Sequence, residues 1–169
     1  INNVVDITNF ILMDIGQPLH SFDMDQLSGN SIHVRRAKAD EKITTIDHKE
    51  YLLAPTDLAI CDGNTPACVA GVMGGAESEI NEKTKNVFLE SAYFNPTIVR
   101  KQSKRLGLSS DSSYRFERGI DPFMQEEASL YACSLIQQIT NCKILKDAVS
   151  FTAPEHPKEL KQVSIRPSR

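Results

Sequence analysis

Breakers divide this chain into short pieces, and that punctuation limits what it can fold into. Val4, Ile7, Ile11 and Ile15, with Val5 and Leu12 beside them, recur at helical spacing from Asn3 to Ile15, and Gly16 and Pro18 then stop the helix. Asn95-Pro96 and Asp121-Pro122 each pair a capping residue with a proline suited to the first helical turn. The first opens a helix to Leu106 that Gly107 closes. The second predicts a helix ending near Asn141, with Phe123, Ala128, Tyr131, Leu135 and Ile139 on one face.

Between these helices the apolar runs are strand-sized. Ile32 to Ala37 alternates, Ile43 to Ile46 and Tyr51 to Leu53 flank an Asp47-His48-Lys49 turn, and Val87 to Ala92 reads as another strand. Leu58 to Cys61 and Ala67 to Met73 predict a buried hairpin joined by Asp62-Gly63-Asn64, and Ile144 to Phe151 a last strand. Strands and helices follow one another without regular βαβ alternation. The expected class is α+β, with mixed or antiparallel sheets packed against helices.

Composition narrows the function classes. Of 169 residues, 40% are hydrophobic and 24% charged, which excludes a disordered, collagenous or disulfide-stapled chain and predicts one domain, residues 1–169. A net charge of −3 argues against a surface that clings to nucleic acid throughout. The apolar runs, such as Phe10 to Met13, are far below the roughly 20 residues that span a bilayer, so no membrane association is expected. Cys61, Cys68, Cys133 and Cys142 form no C-x-x-C pair, so no metal site is expected and a reducing, cytoplasmic setting is. The chain starts at Ile1 without Met and stops at Pro167-Ser168-Arg169, as a piece of a longer polypeptide would.

Five stretches carry candidate chemistry. Gly71-Val-Met-Gly74-Gly75 lets a backbone approach a ligand closely and offers N–H groups to an oxygen, although a tight turn is the plainer alternative. Glu90 shares a strand face with Phe88 and Ala92, where a carboxylate is costly unless it meets a donor. His20 reads as a loop residue after a helix stop and precedes Asp23, which is placed to orient its imidazole, although a structural role is the plainer alternative for a loop histidine. Arg100, Lys101, Lys104, Arg105, Arg115 and Arg118 against Asp111 and Glu117 make a local balance of +4, a phosphate-facing strip or else a solvated face with its arginines paired to acids. Ser109 to Ser113 reads as a hydroxyl-rich turn.

In order along the chain, Asp6-Ile-Thr-Asn-Phe10, Gly16-Gln-Pro-Leu-His-Ser-Phe-Asp23, Ala70-Gly-Val-Met-Gly-Gly75, Asn86-Val-Phe-Leu-Glu-Ser-Ala92 and Ser110-Asp-Ser-Ser-Tyr-Arg-Phe-Glu-Arg-Gly-Ile-Asp-Pro122 resemble the B3/B4 region of bacterial phenylalanyl-tRNA synthetase beta subunits. The resemblance implies a B3/B4-type editing domain from a cytoplasmic subunit that pairs with an alpha subunit in an (αβ)2 heterotetramer. Such a domain hydrolyses tyrosine wrongly esterified to tRNA(Phe). Aminoacylation with ATP and Mg2+ would belong to the alpha subunit, leaving this domain without a cofactor.

By motif, the resemblance implies that Glu90 and the backbone at Gly74 read the tyrosine hydroxyl, that His20 and Ser110 position water or ester, and that Gly75, Ser112, Thr8 and Asn9 belong to the substrate pocket. Arg100, Lys101, Lys104 and Arg105 are the expected tRNA contacts. Where the family often carries Thr-Asp-Ala or Thr-Glu-Ala, this chain has Ser110-Asp111-Ser112. The rival expectation is a structural or tRNA-docking module of the same subunit that edits poorly; a third is a freestanding deacylase on the same fold.

Overall fold

The computed structural model describes residues 2–28, 31–63, 65–160 and 162–165; Ile1, Asn64 and the terminal Pro167-Ser168-Arg169 singled out above lie outside the described residues. The chain opens with α1 (Asn3–Asp14), whose first turn is held by the Asn2 side chain accepting the Val4 N–H at 2.9 Å. Strands β1 (Leu19–Asp23), β2 (Ile32–Arg36), β3 (Lys42–Thr44), β4 (Glu50–Leu52), β5 (Leu58–Asp62), β6 (Thr65–Val69), β7 (Met73–Gly74) and β8 (Val87–Ser91) follow. Helices α2 (Pro96–Leu106), α3 (Asp111–Phe116) and α4 (Gln125–Thr140) complete the described elements. All described strand pairings are antiparallel, so the domain is α+β as expected.

The strands form a β1–β8 ribbon, a four-stranded sheet in the order β2-β5-β6-β7, and a β3–β4 hairpin tied to the sheet by a bridge between Thr45 and Gly75. The ribbon separates two cores. Leu19, Val87 and Leu89 turn to one side and pack with Val4, Ile7 and Ile11 of α1 and with Ala128, Ala132 and Ile136 of α4. Phe22 and Phe88 turn to the other and join Ile60, Val69, Phe94, Val99 and Phe116 in the larger core over the four-stranded sheet. Period-two alternation in β1 and β8 therefore assigns each ribbon residue to a layer.

Buried polar side chains lock these layers. Gln17 donates to the carbonyls of Pro18 and Ala92 at 3.0 and 2.9 Å and accepts from Gln125 at 3.1 Å, joining the start of β1 to the end of β8 and to α4. Gln102 of α2 donates to the Ala70 carbonyl at 2.6 Å and accepts the Leu58 N–H at 2.8 Å. Each amide satisfies backbone groups that would otherwise be orphaned.

Several expectations need correction. Ile144 to Phe151 is not a strand: Leu145, Val149 and Phe151 are 82%, 98% and 90% exposed, and a strand needs a neighbour for its backbone groups. α4 starts at Gln125, because Asp121 instead accepts the Phe123 N–H at 2.9 Å in a turn ahead of it. Its buried stripe is Ala128, Ala132 and Ile136, with Tyr131 and Leu135 at the flank and Phe123 and Ile139 exposed. The run from Ala67 to Met73 is not one strand, since Gly71 at φ +68° folds it back and β7 pairs with β6. A side chain at Gly71 would lie 2.9 Å from the Phe94 ring. His20 sits in a strand rather than a loop, and Ser109 to Ser113 contains the start of α3.

Candidate functional site

The site lies on the face of the β1–β8 ribbon that meets the four-stranded sheet. His20 of β1 and Glu90 of β8 are partners in the antiparallel register, so their side chains emerge side by side. His20 Nε2 and Glu90 Oε2 are both sealed from solvent, and neither has a hydrogen-bond partner among the described residues. Burial pushes the Glu90 carboxyl up to about 7 and the His20 imidazole down to about 4. At neutral pH the imidazole is therefore uncharged, while the carboxyl lies near the midpoint of its titration.

The glycine segment forms the opposing wall. A side chain at Gly74 would stand 2.5 Å from His20 Cε1 and 2.7 Å from Nε2, so the missing Cβ is what admits the imidazole. Phe22 packs edge-on against the same ring at 4.5 Å between centroids. Asp23 does not orient His20: its carboxylate accepts from the Asp25 N–H at 3.0 Å and the Thr84 hydroxyl at 2.7 Å. The Gly74 carbonyl accepts from Ile46, and the Gly75 N–H donates to the Ala67 carbonyl at 2.8 Å, so that N–H is committed to the sheet.

Ser110 reaches the glycine segment from α3. Its hydroxyl donates to the Val72 carbonyl at 2.6 Å while accepting the Ser113 N–H at 3.0 Å, and Ser113 returns the bond to the Ser110 N–H at 2.8 Å. This capping box makes the hydroxyl a brace for the segment that carries Gly74. Ser112, on the first turn of α3, is half-buried. Thr8 and Asn9 are on α1, which packs on the other face of the ribbon; Thr8 is buried and donates to Val5, and Asn9 is exposed.

The basic strip divides. Arg105 is taken by the buried Asp57 carboxylate and by the Leu52 carbonyl, and Arg100 donates to the Glu117 carbonyl at 2.9 Å. Arg115 pairs with Asp111 at 3.4 Å, and Arg118 with Glu117 at 2.5 Å while lying over the Tyr114 ring. Lys101 and Lys104 remain exposed on α2.

Three participants carried no signal in the sequence. Phe22 reads simply as core. Cys68, paired in register with Gly74, is buried and close enough to Glu90 that the carboxylate adds to the upward push of burial on its thiol. Gln17 holds the two ribbon strands together at the end nearest His20 and Glu90, where Leu19 faces Ser91. All four cysteines are free thiols, and among the described residues no helix is long and apolar enough to cross a membrane.

Fold and site together define an α+β domain in which one imidazole nitrogen and one carboxyl oxygen lie buried without a hydrogen-bond partner among the described residues. The chain belongs to the B3/4 domain family, whose model matches residues 1–141. That match takes in every described helix and strand and stops at Asn141, the left-handed residue that caps α4.

Three similar relatives are phenylalanine–tRNA ligase beta subunits. The protein from Geobacter metallireducens is 46% identical over 98% of this chain and 20% of its own length. That from Oceanobacillus iheyensis is 47% identical over 98% and 20%, and that from Nitratidesulfovibrio vulgaris 49% over 85% and 18%. The chain thus spans about a fifth of the length of the curated relatives it matches.

Proposed function

We propose that this chain is the editing domain of a phenylalanine–tRNA ligase beta subunit and hydrolyses tyrosine esterified to tRNA(Phe). The observation that carries the reading is the pair of orphaned polar atoms, Glu90 Oε2 and His20 Nε2, in an otherwise apolar layer. A buried polar atom without a partner is costly, and a ligand that supplies the partner recovers that cost.

Tyrosine and phenylalanine differ by one hydroxyl, and an apolar synthetic pocket rejects an added hydroxyl by only roughly a hundredfold. A second site that requires the hydroxyl complements it. Glu90 accepts the phenol O–H of tyrosine, whereas a phenylalanine ring leaves the carboxyl unpaired at a cost of about 1–3 kcal/mol or more. Correct product is spared by the same contact that captures the wrong one.

Ester hydrolysis then needs a placed water and support for the developing oxyanion. His20, uncharged at neutral pH, offers Nε2 to the water or the ester without a standing positive charge. Ser110 acts through Val72 by fixing the wall that presents Gly74. No covalent nucleophile is required.

In this reading the domain works in the cytoplasm within an (αβ)2 heterotetramer, and tRNA(Phe) is held in part by Lys101 and Lys104. ATP and Mg2+ serve aminoacylation on the alpha subunit. The test is deacylation of Tyr-tRNA(Phe) by the complete enzyme. Glu90→Ala is expected to reduce the preference for tyrosine over phenylalanine about ten- to a hundredfold, the span of one buried hydrogen bond to a charged group. Unchanged discrimination would make the His20 and Glu90 pair a packing feature of a tRNA-docking module.

A further inference from the structure

A cavity of about 240 Å3 opens where the β3–β4 hairpin meets the end of the four-stranded sheet, beyond Gly75. Ile43, Ala67 and Leu27 contribute an apolar floor. Ser78, only 4% exposed, lines it, and its hydroxyl is buried without a hydrogen-bond partner among the described residues. Glu77 beside it makes no hydrogen bond or ion pair among the described residues, while Lys42 on the facing hairpin is already bound to Glu50 at 2.7 Å. The wall thus offers a free carboxylate, an orphaned hydroxyl and an apolar base within one small space.

We propose that this cavity binds a small organic cation bearing a primary ammonium group. The ammonium has three donors, which Glu77 and Ser78 Oγ together can accept, and a charge-assisted bond is the stronger kind. A short aliphatic chain lies on Ile43 and Ala67; at about 30 Å3 for a water-sized group, the cavity has room for roughly eight heavy atoms. A ligand with its own carboxylate is disfavoured beside Glu77. The site is separate from the His20 and Glu90 pair and does not depend on the editing reading.

The test titrates putrescine, at millimolar concentrations, into the full chain and follows backbone amide NMR shifts. Expected are saturable shifts confined to Ile43, Gly75, Glu77 and Ser78, with the dissociation constant raised about tenfold by Glu77→Gln and several-fold by Ser78→Ala. Ser78→Ala removes an unsatisfied buried hydroxyl, so it folds at least as well as the parent and a loss of binding is not a loss of structure. Neutral butanediol is expected to leave the spectrum unchanged. Absent or scattered shifts, indifference to Glu77→Gln, or the same shifts from butanediol or from Mg2+ alone would overturn the proposal.

Discussion

His20 and Glu90 stand opposite each other in the β1–β8 register, yet Nε2 of one and Oε2 of the other are both buried without a hydrogen bond among the described residues. Their burial gives opposite pH signatures. The Glu90 carboxyl, raised from 4.5 to about 7, contributes stability that is complete below 4.5 and lost as pH rises through 7. The His20 imidazole, lowered from 6.5 to about 4, contributes stability that is present above 6.5 and lost as pH falls through 4. Between 4.5 and 6.5 the two slopes oppose each other in the parent chain.

Single substitutions separate them. The stability of Glu90→Gln relative to the parent is expected to rise with pH from 4.5 to 7, by at most about 3 kcal/mol. For His20→Gln the relative stability is expected to rise as pH falls from 6.5 to 4. Urea unfolding of the three proteins across that range measures both, and a difference from the parent that does not vary with pH would refute the assignment.

The two adjacent glycines differ in what a methyl group would strike. At Gly74 it meets the His20 ring, held on its other side by Phe22, and at Gly75 it meets the Ala67 backbone carbonyl at 2.6 Å. A ring can shift by a small rotation, whereas the carbonyl is bound into the sheet. Gly74→Ala is therefore expected to cost about 1–3 kcal/mol, as overpacking does, and to displace the imidazole. Gly75→Ala should cost more. Thermal unfolding ranks the two, and equal midpoints would contradict the geometry.

What the sequence disclosed was whatever is settled by neighbours. α2 was legible from end to end because Asn95, Pro96 and Gly107 act within one turn of the helix termini. The layer that Glu90 faces followed from alternation in Val87 to Ser91. β1 was not legible, because Leu19 to Asp23 is a strand only by pairing with β8, far along the chain, and so His20 read as a loop residue. Ile144 to Phe151 failed in the opposite sense: its apolar residues are enough to suggest a strand, but no described strand lies beside it. Glu90 was visibly costly in sequence, whereas the fact that nothing satisfies it required the layer above it.

Ser110 ties α3 to the glycine segment through one hydroxyl that donates to Val72 and accepts from Ser113. Ser110→Ala removes the helix cap and the brace together, so a loss of about 1–2 kcal/mol is expected from the cap alone. Ser110→Thr keeps both bonds and should restore the unfolding midpoint. If the brace positions Gly74 for deacylation, Ser110→Ala lowers kcat more than it raises KM, and Ser110→Thr rescues it. A defect in KM alone would assign Ser110 to substrate contact instead.

Asp57 is almost wholly buried and takes its charged partner from Arg105, which therefore belongs to the fold before it belongs to any phosphate. Arg105→Ala leaves a buried carboxylate with the Ala54 N–H, at 2.8 Å, and no cation. Because the arginine is itself 39% exposed, the loss is discounted to about 1–2 kcal/mol rather than the larger cost of breaking a fully buried pair. Lys101 and Lys104, on the exposed side of α2, make no such contact among the described residues. Replacing both with Ala is expected to leave the unfolding midpoint where it is and to flatten the salt dependence of tRNA binding by the complete enzyme by roughly one to two counterions. Filter binding across a salt series, set beside urea unfolding of the same variants, separates the two roles. Should the double variant unfold early, or Arg105→Ala alone flatten the salt slope without destabilising the chain, the division of the strip is wrong.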